Sequence, residues 1–220
     1  MQVADEDKYF KVFLSRCLNL TNLLVFIYLM SAASFDFYLI NFYLKYIPGN
    51  IFINTIVSSA SSSASCYIAG IIIIKMGSRN GMCVAFTMCF LSGIVLLISE
   101  SGGDDSALMI SAIPFAVLSA QFGASCAFGM LYMCTLQFFP SQFLGTVFGV
   151  CNVTARSITI LSPMVAEADH PIPEVLIITT CLGAAIMTRF LRTPNFMNKV
   201  DENKLEREEK KKSKKSKKHR

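Results

Sequence analysis

Residues 81–99 read GMCVAFTMCFLSGIVLLIS, a run without a single charged side chain. At a helical rise of about 1.5 Å per residue it reaches about 30 Å, the thickness of a bilayer's hydrocarbon core. Its closing GIVLLI is continuous, whereas a lipid-facing strand alternates apolar and polar positions. A transmembrane helix follows. Comparable stretches lie on either side of it, at 18–43, 51–74, 107–134, 144–166 and 172–191. Breakers separate them: Pro48-Gly49-Asn50, Gly77 to Asn80, Ser101 to Asp105, Pro140-Ser141, and the acidic run from Glu167 to Pro173. The sequence predicts an all-α membrane protein, a six-transmembrane-helix bundle over 18–191. An N-terminal segment (1–17) precedes it and a polybasic tail (192–220) follows.

The composition agrees. Of 220 residues, 53% are hydrophobic and 16% charged, where a soluble domain carries about 25% charged residues. Lys/Arg and Asp/Glu balance over 1–200, so the formal +5 comes entirely from 201–220. The basic balance therefore describes a tail, and nothing in it indicates a nucleic-acid partner. The eight cysteines fall in apolar stretches with no CxxC pair, which gives neither a disulfide framework nor a zinc site. The bland reading is that they act as small hydrophobes in helix packing. The triplets beginning at Asn19 and Asn152 have the form of glycosylation acceptors but sit within apolar spans, out of reach of lumenal enzymes.

Basic residues set the orientation. Lys8, Lys11, Arg16, Lys75, Arg79, Arg189, Arg192 and Lys199 fall on one side; the other has Lys45 against Glu100, Asp104, Asp105, Glu167, Asp169 and Glu174. Six crossings with this asymmetry put both ends in the cytosol.

Two charges stand inside the spans. Asp36 lies in the first and Arg156 in the fifth, beside Asn152, Thr154, Ser157 and Thr159. A charge at membrane depth costs at least about 2.5–3.5 kcal/mol on insertion scales, so it normally faces a cavity or a partner. For Asp36, snorkelling, a local helix-to-helix hydrogen bond and a site role stay open. For Arg156, the choice is between a structural role and a cavity lining. The second span holds SSASSSASC at 58–66. These small residues suit close helix packing, and a polar wall along a water-filled pathway is the alternative.

The segment FFPSQFLGTVFGVCNVTARSITILSP at 138–163 resembles the eleventh helix, and the loop before it, of the organic ion transporter family in the major facilitator superfamily. Pro140, Gly149, Arg156, Ser162 and Pro163 match that pattern without gaps. GNIFINTIVSS at 49–59, Gly70 and Gly77 match the entrance to the eighth helix and the loop after it. Phe37 and Tyr38 fall on an aromatic pair of the seventh helix, and Phe128 on an aromatic position of the tenth. The resemblance covers about 10–195.

It implies that the bundle is the C-terminal six-helix half of a twelve-helix fold, with the substrate site near the midplane between two halves. The first, second, fourth and fifth helices would face that cavity, and the third and sixth would pack outside. The substrate-binding residues it implies are Arg156, Phe37, Tyr38 and Phe128. Arg at the position of Arg156 goes with a preference for organic anions, since a fixed guanidinium pairs with carboxylate or sulfate. The chain also departs from the family. Gln137 stands for a Glu, Leu144 for an Arg, Ala120-Gln121 for Gly-Lys, Cys66 for a Lys of anion carriers, and Gly77-Ser78-Arg79 for Gly-Arg-Arg. In the family those charges form ion pairs on the cytosolic side that help to hold one gate state.

The expected function is therefore transmembrane transport of small organic ions, anion-leaning, by alternating access, as part of a longer or two-part transporter. Its partners would be the organic ion, the bilayer and a missing N-terminal six-helix half. The alternative is a non-transporting, degenerate transporter-like subunit that binds partners. No enzyme activity and no cofactor are expected: His170 and His219 are the two histidines, and no metal motif or nucleophile arrangement can be assembled around them. The run KKKSKKSKKHR at 210–220 could bind anionic lipid or remain a solvated tail. The plasma membrane is the family's usual place, with an organelle membrane open.

Overall fold

The computed structural model describes residues 17–46, 51–101, 107–139, 143–168 and 171–191. The expectations for the N-terminal segment, for Pro140 and for the tail with its lipid contact lie outside the described residues.

Six helices are long and apolar enough to cross a membrane, and no strand occurs among the described residues. They are α1 (Cys17–Tyr43), continued by a 3-10 turn at Leu44–Tyr46, then α2 (Ile51–Met76), α3 (Ser78–Ser101) and α4 (Ala107–Phe138). The fifth span is divided into α5 (Leu144–Thr159) and a short α6 (Ser162–Ala166); α7 (Ile172–Phe190) is the sixth. The chain is thus an all-α, multi-pass integral membrane protein, consistent with a six-helix half of a major facilitator fold.

Several helices overrun the expected spans. α2 continues through Lys75 and stops only at Gly77, whose φ of +80 lets its N–H close on the Ile73 carbonyl (3.0 Å). α4, which holds Pro114 within it, runs on to Phe138, with the Thr135 hydroxyl returned to the Leu131 carbonyl (2.8 Å) and Gln137 bonded to Ser78. Only the fifth span is interrupted. Pro163 has no N–H to return to Thr159, and the chain turns through Ile160 and Leu161 before α6 restarts it.

α2 packs on α4, α4 on α1 and α1 on α5, giving a four-helix layer; α3 and α7 pack on each other behind α4 and α1. Hydrophobicity does not drive helices together in lipid, so close approach and interhelical hydrogen bonds carry the cohesion. The α3–α4 crossing is the tightest example. A Cβ on Gly123 would lie 3.0 Å from the Cys89 nitrogen and 3.1 Å from the Ala85 oxygen, and Ser92 Oγ meets Ser119 Oγ at 2.7 Å across the same pair. α7 reaches α3 at Gly93, where a Cβ would lie 3.1 Å from Ile178 Cγ1.

α2 and α5 are the least enclosed spans. Phe52, Tyr67 and Ile74 on α2 and Val153 on α5 are largely exposed, which suits an apolar surrounding. The serine run of α2 serves two faces. Ser58 and Ser65 are buried, and Ser62 Oγ accepts hydrogen bonds from Gln121 Nε2 (3.1 Å) and Ser125 Oγ (3.0 Å) of α4. Ser59 and Ser63 face outward.

Candidate functional site

α1, α4 and α5 bring four sequence-predicted residues into one chain of contacts. Arg156, exposed on α5, donates a hydrogen bond from Nη1 to the Tyr38 hydroxyl, with its Cζ 5.3 Å from the centre of that ring. Tyr38 meets Phe37 edge-on at 5.4 Å, and Phe37 stacks on Phe128 of α4 at 6.0 Å with 13° between the planes.

The helical period explains how α5 presents its arginine. Val147, Cys151 and Ala155 recur four residues apart and are buried, which leaves Arg156 on the opposite flank. Around it Thr154, Ser157 and Thr159 return their hydroxyls to carbonyls one turn back on α5, at 2.7–2.9 Å. Their oxygens satisfy the helix itself, so the guanidinium is the group on this surface offering donors to something else. The aromatic rings offer flat apolar faces with negative quadrupoles. Together they can hold an anionic head group at Arg156 and an apolar or cationic body along the rings.

The strip extends beyond what sequence reasoning found. Phe128 meets Tyr132 at 4.8 Å, one turn on, and Tyr132 meets Phe148 of α5 at 5.1 Å. The Tyr132 hydroxyl donates to Asn152 Oδ1 (3.1 Å), and Asn152 Nδ2 donates to the Phe148 carbonyl (3.0 Å). A signal existed: Phe128 and Tyr132, and Phe148, Asn152 and Arg156, each repeat at four-residue spacing.

Asp36 belongs elsewhere. It is buried between α1 and α7, where Thr180 Oγ1 donates to Oδ1 (2.6 Å) and Cys181 Sγ to Oδ2 (3.1 Å). The helix-to-helix alternative describes it, and snorkelling does not. At the end of the bundle that carries Lys75 and Arg79, Ser78 donates to Gln137 Oε1, and Arg79 donates to the Arg189 carbonyl. Ser78 and Gln137 occupy positions where the resemblance implies Arg and Glu; here a neutral hydrogen bond joins them. Among the described residues no group of His, Cys, Asp and Glu could hold a metal ion.

A bundle of six apolar, membrane-length helices, with a charged, aromatic strip across three of them, defines the class as a multi-pass integral membrane protein. The comparisons agree. Organic cation/carnitine transporter 2 of Homo sapiens is 27% identical over 146 residues, covering 65% of this chain and 25% of that protein. Solute carrier family 22 member 21 of Mus musculus is 26% identical over 145 residues, covering 64% and 25%. No family profile matches the chain. Its homologues are thus transporters of solute carrier family 22 rather than enzymes, and the chain fits a partial organic ion transporter of the major facilitator superfamily. The matched segment spans about a quarter of the length of these relatives.

Proposed function

We propose that this chain forms one half of a transporter for small organic ions at the plasma membrane, working by alternating access with a second six-helix bundle. The observation that carries this reading is Arg156, exposed and engaged by Tyr38 at the end of the strip Phe37, Phe128, Tyr132, Phe148. The sparsely buried, apolar faces of α2 and α5 flank that strip and suit the seam of a partner bundle. The substrate leans anionic: a carboxylate or sulfate pairs with the guanidinium, and its body lies on the rings. Carnitine, named for three of the relatives, carries both a carboxylate and a quaternary ammonium. A ligand of that kind would place its cation over the aromatic faces.

Uptake of labelled organic anions into vesicles holding the protein tests the reading, with Arg156→Ala as control. Uptake that depends on Arg156 is expected; equal uptake by both forms removes Arg156 from the site.

A second reading, a non-transporting subunit that binds partners, is favoured by one specific observation. Ser78–Gln137 and Ser62–Gln121 are neutral bonds at helix junctions near the departures from the family pattern. Recovery of one stoichiometric partner in mild detergent, with no stabilisation of the chain by organic ions, would support it.

A further inference from the structure

We propose that Asp36 is a proton-binding site on the seam between α1 and α7, separate from the aromatic strip. Its side chain is 1% exposed, and both carboxyl oxygens are engaged by neutral donors, Thr180 Oγ1 at 2.6 Å and Cys181 Sγ at 3.1 Å. Among the described residues no lysine, arginine or histidine bonds to it. A carboxyl so enclosed holds its charge only through these two bonds, which makes the neutral acid a competing state.

The donors are built for both states. Thr180 Oγ1 also lies 2.7 Å from the Leu176 carbonyl and 3.1 Å from that of Ile177. With Asp36 ionised, the threonine hydroxyl points to Oδ1. When a proton from water binds there, the new carboxyl O–H donates to Thr180 Oγ1, and the threonine hydrogen turns to Leu176. One proton is gained, no heavy atom moves, and every donor keeps an acceptor. The Cys181 thiol keeps its bond in both states, since Oδ2 remains an acceptor when Oδ1 carries the proton.

The groups facing this position are otherwise few. On α1 they are Tyr28, whose hydroxyl rests against Gly183, and Tyr43, which donates to Glu174 Oε1 (2.9 Å). Tyr43 and Glu174 lie seven residues from Asp36 and Cys181 respectively, about 10 Å along the same seam at a helical rise. They set a second carboxyl between Asp36 and the end of the bundle where α7 begins. α4 brings only Cys126, Tyr132 and Cys134 over its described length, and α6 brings no titratable side chain, with Glu167 exposed just beyond it. α5 brings Cys151 and Arg156, the latter engaged by Tyr38. Phe37 and Tyr38 follow Asp36 directly, so a change in how α1 sits on α7 reaches the strip. That coupling rests on the transport reading; proton binding itself does not.

The test is infrared difference spectroscopy on the full chain in liposomes, stepping the pH between about 8 and 5, with no substrate present. A protonated-carboxyl C=O band is expected on acidification, absent from Asp36→Asn, which preserves an interhelical hydrogen bond, and retained in Glu174→Gln. Thr180→Val should keep the band and shift its frequency, because the carboxyl loses its hydroxyl partner. An Asp36→Asn spectrum identical to that of the unaltered chain overturns the proposal. If Asp36→Asn fails to insert, Thr180→Val decides alone, and an unshifted or missing band counts against the site. A band that depends on Asp36 leaves the proton site standing whatever the uptake assay gives, and a missing band removes the site without touching the transport reading, so the two fail separately.

Discussion

Asp36 and Tyr38 are two positions apart on α1, about 200° around the helix, and they lead to regions built on opposite principles. On Tyr38's side the ionisable group, Arg156, is exposed, its neighbours have turned their hydroxyls back into their own helix, and the aromatic rings are half-buried. On Asp36's side the ionisable group is enclosed, and its hydrogen bonds cross between helices. The comparison teaches that a charge at membrane depth is tolerated in two ways: by leaving it on a surface another molecule completes, or by surrounding it with neutral groups that suit either protonation state.

The largest effect should break the open side. Arg156→Ala removes charge-assisted bonds of about 1.5–3 kcal/mol, so organic-anion uptake should fall about ten- to hundredfold while thermal unfolding in detergent is little changed. A loss of stability equal to that of a core variant would mean that the strip is structural. Next comes the enclosed packing at the α3–α4 crossing, away from the open strip. Gly123→Ala sets a Cβ against the α3 backbone at 3.0–3.1 Å, and should cost about 1–3 kcal/mol of stability, read as a lower midpoint of thermal unfolding. Smaller is Tyr132→Phe, which deletes the bond to Asn152; about 0.5–1.5 kcal/mol is expected, with the ring stacking retained. Smallest is Gly149→Ala on the open side, where a Cβ meets nothing within 4 Å. It should be neutral or stabilising by up to about 1 kcal/mol through helix propensity. Equal losses from Gly149→Ala and Gly123→Ala would erase the distinction between the open strip and the enclosed crossing.

The fold was legible because the bilayer imposes a length, and runs such as 81–99 meet it without ambiguity. The helix ends were less legible. Gly77 and Pro163 announce their breaks, whereas the extension of α4 to Phe138 depends on which polar residues, Thr135 and Gln137 among them, find partners along the helix or on α3. Of the strip, the single charge of Arg156 and the aromatic positions at 37, 38 and 128 could be read directly. Tyr132 and Phe148 could not, because one aromatic among many in a span carries no label until two helices are set side by side. The partners of Asp36 lie 144 and 145 residues away on α7, a separation no local pattern encodes.

The tie between Ser78 and Gln137 has one more consequence. Counter-ions weaken attractions between charged groups and leave a hydrogen bond between neutral ones nearly untouched. The junction of α3 with α4 at that end of the bundle will therefore hold equally well in dilute and concentrated salt, and a change in ionic strength is not a signal this latch can sense.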